Sequence, residues 1–323
     1  MKILIIGGAG FLGTNLVRRC LVEPGTQVTV MDSLDPHLHA TTKNLKDVWN
    51  YIHFVRGDVR DEHLLAELVQ NQDLIFNCAA QTSHPLSIQY PLLDADINCL
   101  GNLKLLESVR LLNRDAIVLY TSSSTVIGKA CCEVVDEDHW ERPLEIYSAN
   151  KGVAEKYYRI YHTLHGLKTV VLRFANLYGP YGKGYPEFGF VNYFISQAQA
   201  DEEIKIFGSG EQRRNVMYVA DATEILWRAA QTPALYGGIY FATSDYHLSV
   251  RQIADTIVNV FQRGRVRHIE WPEERLRTEI DNVKFSSARL RSITNWQPRY
   301  DFVSGLQQTK TIIEKESTQG NIK

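Results

Sequence analysis

Lys2-Ile3-Leu4-Ile5-Ile6-Gly7-Gly8-Ala9-Gly10-Phe11-Leu12-Gly13 opens the chain and decides its fold. Lys2 to Ile6 is a short apolar run rich in β-branched residues, the signature of a parallel strand buried on both faces. Glycines follow at once, and Thr14 to Cys20 reads as a helix with Leu12, Leu16 and Val17 on one side. Strand, glycine turn and helix are the context that a dinucleotide fingerprint requires. Gly7 permits the tight turn, Gly10 lets the backbone approach a pyrophosphate, and Gly13 lets the helix pack close to the strand. The helix start, at Phe11 and Leu12, offers free N–H groups and the positive dipole end to the phosphates.

The second strand, Gln27-Val28-Thr29-Val30-Met31, ends at Asp32. Asp32 lies 32 − 13 = 19 residues past the last glycine, about where a ribose-binding carboxylate belongs. It would bond a ribose 2′-hydroxyl and repel a 2′-phosphate, which favours NAD over NADP. Asp35 is a weaker candidate for the same role.

Working outward, apolar strands alternate with helical stretches through the first half. Ile52 to Val55 reads as a third strand, His63 to Val69 as a helix, and Leu74 to Ala80 as a fourth strand ending in small residues. Leu92 to Leu112 reads as a long helix, Ala116 to Tyr120 as a fifth strand, Tyr147 to His165 as a helix and Thr169 to Phe174 as a sixth strand. This alternation predicts an α/β fold, a doubly wound parallel (Rossmann) sheet with ligands at the carboxyl ends of its strands. From about Gly179 the pattern loosens into turns and shorter elements with basic residues, as in a smaller C-terminal substrate-binding domain. The expected division is 1–178 for the cofactor domain, with a returning strand near 237–242, and 179–315 for the substrate domain. A polar tail over 316–323 has the composition of a disordered end.

Tyr147 and Lys151 are four residues apart on a predicted helix and therefore share a face. A nearby cation favours the phenolate and lowers a tyrosine pKa that is otherwise near 10. Such a phenol can take a proton from a sugar or alcohol hydroxyl near neutral pH. The serine run Ser122, Ser123 and Ser124 lies about one β-α step upstream, where a hydroxyl can bond the same substrate oxygen.

The 323 residues, 44% apolar, allow a sizeable core in one large domain or two joined ones. A net charge of −2 gives no global reason to expect nucleic acid or an anionic membrane as partner, and no apolar run approaches a membrane span. Met1-Lys2 leads directly into a strand, so no signal peptide is expected. The five cysteines are scattered, odd in number and without zinc spacing; Cys131 and Cys132 are adjacent. His37/His39 and His162/His165 read as solvated loop and helix residues, and no metal is expected. A reducing cytoplasm is the natural setting.

Several stretches together resemble the extended short-chain dehydrogenase/reductase family, and within it the NAD-dependent nucleotide-sugar epimerases and dehydratases such as UDP-glucose 4-epimerases. They are the glycine turn, Gly57-Asp58-Val59, Ala79-Ala80, Thr121 to Gly128, Tyr147 with Lys151, Leu172 to Pro180, Gly208-Ser209-Gly210 and Asn295 to Pro298. The resemblance covers nearly the whole chain. It implies that Tyr147 is the catalytic base and acid, that Lys151 tunes it and holds the nicotinamide ribose, and that Ser123 bonds the reacting hydroxyl. Asp58 and Val59 would flank the adenine, and Ala79 and Ala80 would lie close to the cofactor. Thr82 and Ser83 would border the sugar, Asn176, Arg214 and Arg277 would contact the diphosphate, and Phe190 and Val191 would contact the base. The two long helices resemble a family dimer interface, which implies a homodimer.

Four departures bear on activity. Dehydratases of the family carry an Asp-Glu pair where this chain has Ser124 and Thr125, which cannot act as carboxylate acid and base. Ile127 replaces the usual tyrosine before Gly128, Asn215 replaces the usual aspartate after Arg214, and Ser148 and Asn150 replace the residues common beside Tyr147. The chemistry that remains is transient oxidation of a nucleoside-diphosphate sugar, most simply epimerisation at C4. A CDP-deoxysugar 2-epimerase and a net reductase of a 4-keto sugar are the enzymatic alternatives, and a dinucleotide-sensing protein is the non-enzymatic one.

Overall fold

The computed structural model describes residues 1–273 and 282–320. Its first half runs β1 (Lys2–Ile6), α1 (Phe11–Leu21), β2 (Gln27–Asp32), β3 (Ile52–Arg56), α2 (Glu62–Leu68), β4 (Leu74–Asn77), α3 (His84–Gln89), α4 (Pro91–Ala95), α5 (Gly101–Leu112), β5 (Ile117–Ser123), β6 (Val134–Val135), α6 (Ile146–His165) and β7 (Lys168–Phe174). The second half runs β8 (Asn176–Tyr178), α7 (Phe190–Gln199), β9 (Glu203–Phe207), β10 (Arg213–Tyr218), α8 (Val219–Ala230), β11 (Ile239–Ala242), β12 (His247–Ser249), α9 (Val250–Phe261), β13 (Arg265–Ile269), β14 (Lys284–Phe285), α10 (Ala288–Thr294) and α11 (Phe302–Gly320).

Seven strands form one parallel sheet in the order β11-β7-β5-β4-β1-β2-β3. The residues of β1 explain its central place. Ile3 and Ile5 enter the core on one face of the sheet and Leu4 and Ile6 the core on the other, so the strand is apolar on both sides. The winding direction reverses between β1 and β4, and such a switch point opens a crevice at the carboxyl ends of the strands. Strand β11 comes back from the second half to pair with β7, Ile239 beside Val171. Much of the rest of that half builds two small sheets, β12-β10-β8 and β13-β9, around a separate core that includes Ile195, Ile206, Ile253 and Ile257, and β14 pairs with β6 of the first half.

Two sequence expectations change. The long helix expected over Leu92–Leu112 is interrupted by a wider π-helical turn at Asp96–Leu100. That turn carries Asn98, whose side-chain amide brackets the Gln81 backbone at 3.0 and 2.8 Å and so holds the loop after β4. The polar tail is not irregular as far as Gly320, because α11 extends to that residue. Phe302 and Leu306 anchor its start in the second core.

Candidate active site

Gly7 adopts φ +77°, and its N–H donates to the Met31 carbonyl at 2.7 Å. A Cβ on Gly7 would meet the Ala79 backbone at 2.6 Å, and one on Gly13 would meet the Gly7 carbonyl at 2.2 Å. These contacts draw β1, the end of β4 and α1 together. At Gly10 an added Cβ would meet only the Gly7 carbonyl, at 3.2 Å. Gly10 is also the N-cap of α1 and supplies no side-chain acceptor, so the first N–H groups of the helix are left to a ligand.

These residues line a cavity of about 380 Å³ at the switch point. Phe11, Leu12, Asp32, Asp58, Val59, Ala79 and Ala80 all reach it. Asp32 accepts from Ala9 N at 2.9 Å and Leu34 N at 3.0 Å, which turns its carboxylate toward the glycine turn. Its pKa is raised, chiefly by burial, with the two N–H groups and the Lys183 charge opposing. Asp58 is chelated by Arg60 through Nε at 2.9 Å and Nη2 at 2.8 Å, and this pair lowers its pKa.

Strand β5 and helix α6 bring the second group of residues to the same cavity: Ser123, Tyr147 and Lys151. Lys151 Nζ donates to the Thr121 carbonyl at 2.7 Å and lies 4.3 Å from the centre of the Tyr120 ring. Burial pushes its ammonium down to about 8. The phenol of Tyr147 does not behave as its spacing from Lys151 predicts. Its pKa is raised, first by burial and then by the Asp94 charge, while a hydrogen bond with Ser123 pulls the other way. The Lys151 ammonium is turned onto Thr121 and Tyr120 instead.

Of the departures seen in the sequence, Thr125 and Ser148 are bonded to one another, and Asn150 and Asn215 bond to other residues. Thr125 Oγ1 pairs with Ser123 Oγ at 2.8 Å and accepts from Ser148 Oγ at 2.9 Å. Asn150 donates to Asp94 at 2.7 Å, and Gln81 and Asn98 donate to the other oxygen of the same carboxylate. Asn215 donates to the carbonyls of Ser244 (2.8 Å) and Tyr246 (3.2 Å), which an aspartate could not do.

Thr82, Asn176, Phe190, Val191 and Arg214 also line the cavity. Asn176 holds the Asn215 carbonyl at 2.8 Å, and Arg214 gives one N–H to the Arg213 carbonyl at 2.7 Å. Ser83 is not among the lining residues: it is fully buried, and its hydroxyl caps α3 by accepting from Leu86 N at 3.3 Å. Arg277 lies outside the described residues, as does Arg275.

Sequence reading missed three groups at the cavity wall or just behind it: His84, Asp94 and Lys183. His84 and Lys183 line the cavity, and Lys183 Nζ donates to the Leu38 carbonyl beside Asp32. Burial brings this second ammonium down to about 8, against the pull of Asp32 and Asp35. The signal for His84 was its place just beyond the carboxyl end of β4. For Lys183 it was a lone charge in a glycine-rich loop. Away from the cavity, Cys131, Cys132 and the more distant His139 gather their ligand atoms within 4.8 Å, a grouping the cysteine spacing alone did not disclose. No helix among the described residues is long and apolar enough to cross a membrane.

The cavity fits a dinucleotide. It offers the open backbone at Gly10, the uncapped helix start, the Asp32 carboxylate and the buried hydroxyl of Ser122, which has no partner among the described residues. Comparison with known proteins agrees. A protein of Methanocaldococcus jannaschii assigned as a UDP-glucose 4-epimerase is 34% identical over 308 residues, covering 95% of this chain and 96% of its own. A dTDP-glucose 4,6-dehydratase of Streptomyces niveus is 31% identical over 323 residues, covering 96% of this chain and 91% of its own. The crystal structure of a Thermotoga maritima UDP-glucose 4-epimerase with UDP-glucose superposes with a TM-score of 0.88 at 25% identity, covering 98% of this chain and all of that one. The pattern of a family described as NAD dependent epimerase/dehydratase matches residues 3–240. With the glycine turn, Asp32 and the Ser123–Tyr147–Lys151 set gathered at one cavity, the chain belongs to the NAD dependent epimerase/dehydratase family, and NAD is its cofactor.

Proposed function

We propose that this protein is a nucleotide-sugar epimerase that inverts C4 of a nucleoside-diphosphate hexose such as UDP-glucose or UDP-galactose. The observation that carries the reading is the neighbourhood of Ser123. Tyr147 and Lys151 are present, yet the positions a dehydratase would fill with two carboxylates hold Ser124 and Thr125, and Thr125 is engaged with Ser123 and Ser148. Water elimination needs an acid and a base that this stretch does not supply.

In this reading Gly7, Gly10, Phe11, Leu12 and Gly13 hold the pyrophosphate, Asp32 the adenosine ribose, and Asp58 and Val59 the adenine. Ala79 and Ala80 let the cofactor lie close to the backbone, and Lys151 holds the nicotinamide ribose. NAD held there would supply a hydride acceptor and donor for the sugar carbon. Tyr147 removes and restores the hydroxyl proton, and Ser123 donates to the same oxygen. Burial and Asp94 raise the phenol, so lowering it would call on cations beside it, Lys151 and the charge that a bound oxidised cofactor would bring. Asn176 and Arg214 hold the diphosphate, Thr82 borders the sugar, and Phe190 and Val191 contact the base. In sequence numbers, 1–178 is mainly the cofactor part and 179–315 mainly the substrate part, with β11 shared.

A homodimer through α5 and α6 is part of the proposal. Val153, Ile160 and Leu164 are exposed on one side of α6, 40%, 45% and 70% respectively, an apolar stripe suited to a partner helix. The five free cysteines suit a reducing cytoplasm.

The test is native mass spectrometry of freshly purified protein, then incubation with UDP-, CDP-, GDP- and dTDP-sugars. Co-purified NAD with interconversion of two sugars of equal mass supports an epimerase and names its substrate. Turnover only with added reduced cofactor would make the protein a net reductase instead.

A further inference from the structure

His84 and Glu145 lie 61 positions apart in the chain and meet beside the Tyr147 phenol. Glu145 is the N-cap residue of α6, where a carboxylate usually accepts from the first helical N–H groups. Its side chain makes no such bond; it pairs with His84 Nδ1 instead. That carboxylate is 11% exposed and has no other hydrogen-bond partner among the described residues. The imidazole lies against the Tyr147 ring, centroids 4.7 Å apart, and lines the same cavity. Helix α3, which carries it, is fixed by the Ser83 cap and by Ser87 Oγ donating to the His84 carbonyl at 2.7 Å. With Nδ1–H held by the carboxylate, Nε2 is the ring nitrogen left to take or give a proton. A carboxylate-oriented imidazole is an acid–base device.

We propose that His84, positioned by Glu145, exchanges a proton with a carbon next to the keto carbon of the sugar held at Tyr147. The inference deepens the proposed function and rests on it, because a C4 ketone acidifies the C–H bonds at C3 and C5. One of these bonds breaks. Its electron pair becomes the C=C bond of an enolate, the negative charge settles on the former carbonyl oxygen, and the proton passes to His84 Nε2. The hydroxyls of Ser123 and Tyr147 donate to that oxygen. The imidazolium trades its proton with water and gives one back to the same carbon, so no oxidant or reductant is consumed. Proton transfer at carbon thus returns to a site whose 124–125 positions have no carboxylates, through residues from two other elements.

The experiment supplies UDP-, dTDP-, CDP- and GDP-4-keto-6-deoxyhexoses in D₂O to the NAD-loaded protein. Binding is followed by calorimetry, and deuterium at each sugar carbon by NMR. A keto sugar as probe bypasses oxidation at C4, so failure here is separable from failure of the epimerase reading, which the unoxidised sugars test. The expected result is one solvent deuteron at C3 or C5 of a bound keto sugar. The rate should fall by roughly 10²-fold in His84→Asn with binding retained. Glu145→Ala should slow the exchange without changing the affinity for the keto sugar, and Glu145→Gln, which can still accept from Nδ1–H, should restore part of it. A bound keto sugar that gains no deuteron above the protein-free rate overturns the proposal. So does exchange that is equally fast in His84→Asn, and so does the absence of binding by all four probes.

Discussion

Lys151 Nζ donates a 2.7 Å hydrogen bond to the carbonyl of Thr121, the residue that precedes the serine run. The bond ties α6, which carries the phenol, to the end of β5, which carries Ser123. Tyr147 and Ser123 are thereby set in register by a side chain that also lines the cavity. The residue expected to tune the tyrosine also builds the frame that holds it against the serine.

Tyr147→Phe keeps the ring in its place and removes the proton-carrying oxygen. Turnover of the nucleotide sugar should fall by about 10²–10⁴-fold, the usual worth of a positioned acid–base group. Retention of NAD, read from the absorbance of the denatured supernatant, should be unchanged. A variant that turns over at the parent rate would remove the phenol from the mechanism and revive the sensing alternative.

Gly13→Ala places a methyl 2.2 Å from the Gly7 carbonyl, so α1 must move off the strand or the turn must shift. Overpacking of this kind costs about 1–3 kcal/mol. Thermal unfolding should come earlier, and the purified variant should carry less NAD, because the displaced helix start no longer faces the cavity. Wild-type melting with full NAD content would contradict the close packing described here.

Asp32→Asn removes a charge that accepts from both Ala9 N and Leu34 N, and an amide can satisfy only one of them. Hydrogen bonds to a charged group contribute about 1.5–3 kcal/mol, so NAD affinity should drop by about 10–100-fold. The preference for NAD over NADP should narrow as well, since repulsion of a 2′-phosphate is gone and Lys183 remains beside it. Titration of both cofactors checks this. Unchanged dissociation constants for the pair would exclude Asp32 from the ribose site.

Lys151 gives a signed pH dependence. Burial lowers its value from 10.5 to about 8, so between these two values the unfolded chain holds a proton that the folded protein has released. Stability from this group therefore rises with pH across that window and is lost as pH falls through about 8. The unfolding free energy of the wild type minus that of Lys151→Met, from urea titrations, should increase from about pH 8 to 10.5. A flat difference would mean that the ammonium is not desolvated.

What the sequence determined by itself was local. The strand–glycine–helix opening, the acid 19 residues beyond Gly13 and the i,i+4 spacing of Tyr147 and Lys151 are written in neighbouring residues, and they located the sheet and much of the cavity wall. Side-chain direction was less legible, as neighbours show: Thr82 faces the cavity while Ser83 turns inward to cap α3. Tertiary structure alone decided which distant groups meet. Glu145 reaches His84 across 61 positions, and Lys183 comes to Asp32 from a loop in the other half of the chain. It also decided the sign of the shift at Tyr147. Spacing reports that a cation is near, but burial and the Asp94 charge, which raise the phenol, belong to the folded surroundings.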